Sequence, residues 1–277
     1  MRRRRQQTHG SGKKWKAAVI LLCALSVGGF AAFRVYEIRG RDSTPPVIAF
    51  EAETIRVSVT DSRETLLEGV TAMDEKDGDV TDSLVIQSLS EMAQDGTRII
   101  RYASSDKSGN VGYGQRVLEY TDYQKPRFQL TGPLHFPMGR SFQICQNIQA
   151  ESVLDGDLTS HIKYTTDKAV TSSSSGEYVI EYRVTDSAGV TSYLRTELQI
   201  YDPSEYSLEV SLSSYLVYLP LGQSFDPEDY ISGEIQEGEV TVESHVDTSQ
   251  AGIYQVDYTV TDGDRRGQNR LIVAVGQ

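Results

Sequence analysis

The chain repeats itself. Gly96, Tyr102 and Asp106 form the pattern G-x5-Y-x3-D, which recurs at Gly176, Tyr182 and Asp186 and again at Gly252, Tyr258 and Asp262. A second landmark runs in step with the first: Asp77, Gly78, Asp79 and Thr81 return as Asp155, Gly156, Asp157 and Thr159, and in acidic form as Glu237, Gly238, Glu239 and Thr241. A third, P-x-G-x-x-F, joins only the last two copies, at Pro137, Gly139 and Phe142 and at Pro220, Gly222 and Phe225. A unit of roughly 77 residues written three times restricts the fold to tandem copies of one supersecondary arrangement.

Each copy reads as short strands. Residues 97–103 and 177–184 alternate or run apolar in Ile, Val and Tyr, and residues 198–200 and 271–275 close their copies in the same way. Turn clusters separate the strands: Asp-Gly-Asp, then Asp106 to Asn110 and Asp186 to Gly189. No helical period is sustained after Arg34. Strands at this spacing without helices predict an all-β chain of three tandem β-sandwiches. Pro126 and Pro203 cannot continue a central strand and mark the boundaries, giving domains at 45–121, 122–201 and 202–277. Such short linkers predict a semi-rigid arrangement.

Residues 17–33 are apolar except for Ser26. As a helix they span about 25 Å, the short end of what crosses a bilayer. Arg2, Arg3, Arg4, Arg5, Lys13, Lys14 and Lys16 precede them, Trp15 sits at interfacial depth, and no acid occurs before Glu37. The reading is a basic cytoplasmic tail at 1–16, a transmembrane helix at 17–34 and a linker at 35–44. The N-terminus then lies inside and the rest outside. A cleaved signal peptide is the competing reading, with a weak small-x-small site at Gly29 to Ala31. The length of the apolar run and bulky Phe30 and Phe33 favour an uncleaved anchor. The overall charge of −12 conceals a body of about −20, because all 39 acids follow Arg34 against only 19 of the 27 bases. That surface repels phosphate backbones, so no nucleic-acid partner is expected.

Pro45, Pro46 and the following Val-Ile, Gly69 to Asp74, Asp77 to Thr81, and Gly96, Tyr102 and Asp106 to Asn110 together resemble a bacterial immunoglobulin-like repeat. The type is the one named after pesticidal crystal proteins and found on many Gram-positive surface proteins. The likeness covers nearly all of 45–277, is clearest in the first copy and weakest in the third. It implies extracellular Ig-like sandwiches that act as spacers or binding modules without catalysis.

The Asp-Gly-Asp loops are the sequence's best candidate site. Asp74, Asp77 and Asp79 offer hard oxygens at a spacing that could wrap Ca²⁺; Asp155 with Asp157 repeats this weakly, and Glu237 with Glu239 more weakly. The EF-hand register is missing. The competing reading is a solvated turn in which Asp and Thr cap backbone N–H groups. Calcium at the domain junctions would need Asp122 and Asp202, neither of which lies in a multi-carboxylate linker. Apart from calcium, no cofactor is expected. Tyr102, Tyr182 and Tyr258 read as tyrosine-corner-like, ring in the core and hydroxyl on backbone. The remaining tyrosines could line a carbohydrate face, although aromatics on strands are mostly core.

No His pair has metal spacing, and no G-x-S-x-G elbow or phosphate loop occurs. Cys145 has no partner in the exported part, and Cys23 lies in the apolar run. Leu219 to Gly222 resembles a sortase signal but lacks its threonine. The chain is therefore read as a non-catalytic membrane-anchored stalk or interaction module that meets protein or cell-wall glycan at the surface. The alternatives are a calcium-dependent adhesin or glycan-binding protein, and an accessory subunit of a surface enzyme or secretion complex.

Overall fold

Strand-forming runs punctuated by glycine and aspartate fold as their alternation requires. A computed structural model describes residues 11–40, 42–233 and 238–276; the basic residues Arg2 to Arg5 and the candidate Glu237 lie outside the described residues. One helix, α1 (Ser11–Gly40), opens the chain, and everything described after it is strand, short 3-10 turn or loop. Trp15–Tyr36 within α1 is apolar and wholly exposed. At about 33 Å, this stretch is long enough to cross a bilayer. It exceeds the apolar run 17–33 because the flanking residues extend the same helix.

The first copy contributes β1 (Val47–Phe50), β2 (Thr54–Val57), β3 (Val70–Asp74), β4 (Gly78–Asp79), β5 (Val85–Leu89), β6 (Thr97–Ser105) and β7 (Val111–Tyr120). One sheet has the order β1-β3-β4, the other β2-β7-β6-β5. The second copy contributes β8 (Arg127–Leu130), β9 (His135–Pro137), β10 (Ile148–Ser152), β11 (Gly156–Asp157), β12 (Lys163–Thr166), β13 (Gly176–Thr185) and β14 (Thr191–Tyr201). Its sheets, β8-β10-β11 and β9-β14-β13-β12, repeat the first pair strand for strand. The third copy contributes β15 (Leu216–Leu219), β16 (Glu239–Ser244), β17 (Gly252–Asp262) and β18 (Arg265–Val275), in the order β15-β18-β17-β16. Of its other sheet, the described residues keep a single antiparallel bridge, Leu212 to Ile231.

Each copy places one short strand parallel to its last long strand: β2 beside β7, β9 beside β14, β15 beside β18. The other pairings among the described residues are antiparallel. The four-stranded sheet thus recurs in all three copies and the three-stranded one in the first two, and the chain is all-β in Ig-like sandwiches behind one apolar helix.

The chain divides into two compact units. One comprises the chain up to Glu53, Leu67–Ser88 and Ile100–Arg116; the other comprises Thr54–Leu66, Leu89–Ile99 and Val117–Gln277. In the first unit Val70, Ala72, Ile100 and Tyr102 are buried, and the ring of Phe50 packs 5.5 Å from that of Tyr102. β3 alternates strictly between buried and exposed, the period-2 signature of a half-buried strand.

The second unit has two apolar cores. One gathers Phe128, Ile148, Tyr178, Ile180, Tyr182, Leu194 and Leu198 of the second copy, together with Leu216, Ile272 and Ala274 of the third. The other gathers Val210, Val256, Tyr258, Val260, Leu271, Val273 and Val275. β18 therefore feeds both cores: its odd-numbered residues from Leu271 serve its own sandwich, while Ile272 and Ala274 serve its neighbour's. A continuous apolar run is what a strand covered on both faces requires. The Tyr218 hydroxyl accepts from the Phe128 N–H at 3.0 Å, and Arg270 pairs with both Asp257 at 2.6 Å and Glu197 at 2.9 Å.

Tyr102, Tyr182 and Tyr258 are fully buried. Tyr182 donates to the Ile144 carbonyl at 2.9 Å and Tyr258 to the Pro227 carbonyl at 2.6 Å. The Tyr102 hydroxyl accepts from Arg116 Nε at 2.8 Å, with the guanidinium 5.5 Å from the ring centre. A buried phenol needs a partner for its oxygen, and each of the three has one.

Candidate functional site

The Asp-Gly-Asp loops are built the same way twice, and each repeated residue has a bond or a backbone angle to account for it. The first aspartate reaches across to the following turn: Asp77 Oδ2 accepts from the Lys107 N–H at 2.8 Å, Asp155 Oδ2 from the Ser187 N–H at 2.7 Å. Gly78 and Gly156 take positive φ, 75° and 72°, which only glycine adopts without cost. The second aspartate starts the next turn: Asp79 Oδ1 accepts from the Thr81 N–H at 2.9 Å, Asp157 Oδ1 from the Thr159 N–H at 2.8 Å. Hydrogen bonds from these threonines hold both carboxyls below the usual range. The threonine hydroxyls in turn accept from Ala72 and Ala150 N–H. In the third copy Glu239 lies exposed on β16.

Asp74 occupies a different place from its neighbours in sequence. It ends β3 with 5% of its surface exposed, and its Oδ1 accepts from the Lys76 and Asp77 N–H groups at 2.9 Å each. Beside it stand Asp106, 7% exposed, and the half-buried Asp42; one carboxylate oxygen of each lies within 4.8 Å of one from each of the others. Asp106 Oδ1 accepts from the Asn110 N–H at 2.8 Å and its Oδ2 from Asn110 Nδ2 at 2.6 Å. The same amide nitrogen donates to the Asp42 carbonyl at 3.2 Å, tying the expected linker to the turn. Asp42 Oδ1 accepts from the Thr44 N–H at 3.0 Å and its hydroxyl at 2.7 Å; these bonds, with the Lys76 charge, lower its pKa. Asp42 Oδ2 and Asp74 Oδ2 are buried without a hydrogen-bond partner.

Of the five sequence candidates, the fold thus brings only Asp74 into a carboxylate cluster among the described residues. Asp77, Asp79, Asp155 and Asp157 spend oxygens on backbone N–H groups of nearby turns. Asp122 accepts from Ser58 Oγ and the Val59 N–H, and Asp202 from the Ser204 N–H and hydroxyl. Asp42 and Asp106 are not among the sequence candidates. Asp106 carries a signal, since it is the repeated aspartate of G-x5-Y-x3-D. Asp42 carries none, standing well before Asp74 in the expected linker.

The second copy fills the corresponding place with hydroxyls. Ser152 ends β10 where Asp74 ends β3, and Asp186 stands for Asp106. Asp186 Oδ1 accepts from the Ala188 and Val190 N–H groups, and its Oδ2 accepts from the Tyr123 hydroxyl at 2.7 Å. Burial, then the Asp186 carboxylate, raises the Tyr123 pKa, so the phenol stays a donor. In the third copy the exposed Asp262 pairs with Arg265.

A second feature belongs to the second unit: a cleft of about 330 Å³ lined by Gln199, Tyr201, Tyr206, Tyr215, Gln268 and Asn269, among others. Tyr206 donates to Gln268 Oε1 at 3.0 Å, and Asn269 Nδ2 donates to the Val210 carbonyl at 2.9 Å, fixing both amides. His135 at its margin lies 5.4 Å edge-on from the Tyr201 ring. Burial and the Arg270 charge hold its pKa down at about 4, so the imidazole is neutral near pH 7.

Comparison with known proteins matches residues 214–273, most of the third copy, to the model of the bacterial surface protein, Ig-like domain. A curated relative, pesticidal crystal protein Cry22Aa of Bacillus thuringiensis, is 27% identical over 172 residues, covering 58% of this chain. The chain spans 24% of that relative's length. Solved structures that align include Clostridium perfringens ZmpB, comprising the M60 catalytic domain with CBM51-1 and CBM51-2. Its identity is 13%, its TM-score 0.21, and the alignment covers 84% of this chain and 31% of that one. Human CDH23 EC21-23 aligns at 13% identity and a TM-score of 0.22, over 83% of this chain and all of that one.

Proposed function

We propose that this chain is a non-catalytic surface module, held in the membrane by α1 with its N-terminus inside, whose repeated sandwiches present binding surfaces outside the cell. One observation carries the reading: a four-stranded sheet of one strand order recurs three times after an apolar helix whose described side chains are all exposed, and the last copy matches a surface Ig-like model. A helix apolar on all sides and left uncovered is matched to lipid rather than to water. Its basic flank supports the stated orientation. Protease added to intact cells should remove the sandwiches and leave a protected fragment that carries an N-terminal tag. Full resistance in intact cells, with digestion only after lysis, would put the repeats inside and defeat the reading.

The ligand class we favour is a wall glycan, taken in the cleft between Tyr206, Tyr215, Gln199 and Gln268. The held amides of Gln268 and Asn269 and the tyrosine faces suit the mixed polar and C–H surface of a sugar ring, and the cleft is of small-ligand size. Full-length protein in detergent, applied to a glycan array, should bind wall-type oligosaccharides and lose about tenfold in affinity on Tyr215→Ala. An unresponsive array together with capture of a defined surface protein would assign the module to protein binding instead.

A further inference from the structure

We propose that the first copy binds one calcium ion between Asp42, Asp74 and Asp106. The reading is independent of what the module binds at its surface. Proximity is the first support: three carboxylates meet within 4.8 Å of one another, two of them more than nine-tenths buried. The second support is independent of proximity. Asp74 Oδ2 and Asp42 Oδ2 are both out of contact with water and accept no hydrogen bond, a state that buried ionised oxygens hold only when something else neutralises them. The exposed Lys76 ammonium lowers the Asp42 pKa, but one monovalent charge on a long surface side chain does not balance three carboxylates.

The second copy supplies the third support. There Ser152 replaces Asp74, and the Tyr123 hydroxyl donates to Asp186 Oδ2. Where Asp74 is lost and Asp122, which aligns with Asp42, accepts from Ser58 and Val59 instead, a hydroxyl closes the place; where all three carboxylates converge, oxygens are left open. The third copy closes its own aspartate with Arg265. Hydroxyl, guanidinium and open oxygens are three answers to one repeated charge, and only the open one calls for an ion.

The donor set names the ion. All three ligands are hard carboxylate oxygens with no histidine or thiolate, which suits Ca²⁺ or Mg²⁺ rather than Zn²⁺ or Cu²⁺. Mg²⁺ demands near-ideal octahedral geometry and gives up its waters reluctantly, so a site built from protein carboxylates favours Ca²⁺.

Calorimetric titration of CaCl₂ into the full-length protein in detergent tests this. The expected result is one site with Kd between about 10 µM and 1 mM, the range of modest to extracellular calcium sites. Asp74→Asn and Asp42→Asn should each weaken it at least tenfold, while Asp77→Asn and Asp157→Asn should stay within about threefold. Asp42 lies outside every strand, so Asp42→Asn decides the matter if Asp74→Asn fails to fold. Absence of saturable binding, affinity unchanged in Asp42→Asn, or Mg²⁺ binding as tight as Ca²⁺ overturns the proposal. An equal loss in Asp77→Asn also overturns it, by moving the ion to the Asp-Gly-Asp loop.

Discussion

The first and second copies share their strand order, their Asp-Gly-Asp bonding and a fully buried tyrosine, yet they neutralise one loop differently. In the first, Asp42, Asp74 and Asp106 converge and leave two oxygens open. In the second, Ser152 stands in the place of Asp74 and Tyr123 donates to Asp186. The difference teaches that the repeated features are the structural ones. What varies against a constant scaffold, here three converging carboxylates against a single one capped by a phenol, is where individual chemistry is to be sought.

The largest effect should fall on what the copies have in common. Replacing Tyr102 or Tyr182 with alanine removes a fully buried ring and should cost about 3–5 kcal/mol in either copy, read by urea denaturation. A tolerance in one copy but not the other would break the claim of a common core.

Next comes the loop itself. Tyr123→Phe strips the Asp186 Oδ2 of its donor and should cost about 1–3 kcal/mol, the penalty for an unpaired buried group. Adding Ser152→Asp to Tyr123→Asp should turn the second copy into a calcium-responsive one, so that CaCl₂ raises the melting temperature of the double variant. If the double variant melts identically with CaCl₂ and EGTA, the copies do not differ in the way described.

A smaller and equal cost is expected for Asp77→Ala and Asp155→Ala, about 1 kcal/mol each, since both lose one bond to a backbone N–H. The extra Lys107 contact of Asp77, at 3.6 Å to an exposed ammonium, should add little. Thermal melts of the pair would sharpen the equivalence.

The last contrast concerns pH. At one register position the first copy carries the exposed pair Arg56–Glu119, and the second carries His135 opposite Gln199. His135 titrates at about 4 when folded, against roughly 6.5 unfolded. Its contribution is whole above pH 6.5. It is lost as pH falls from there towards 4, because only the unfolded state takes up the proton, and is level below. His135→Gln should flatten that part of the stability–pH curve, while Arg56→Gln leaves it nearly unchanged.

Much of this is legible in the chain. Strand-like patterning predicts β6 and β13, the repeated Gly, Tyr and Asp predict a repeated topology, and the apolar run predicts α1. The turn reading of Asp79 and Asp157 rests on bonds two residues along the chain, the kind that sequence spacing records. Asp42, Tyr123 and Arg270 are not legible, because their partners are distant in sequence and such contacts impose no local pattern. Arg270 in particular sits in a run that reads as plain strand, yet joins Asp257 to Glu197. The sharing of Ile272 and Ala274 with the neighbouring core is hidden for the same reason: an apolar run announces burial on both faces, not what covers each face.

The most direct test is a count of ions. Calcium bound per chain, measured by equilibrium dialysis and atomic absorption on full-length protein at saturating CaCl₂, should be one. Zero would leave the open oxygens of Asp42 and Asp74 without a cation, and two or three would follow the Asp-Gly-Asp loops instead; either result contradicts the account.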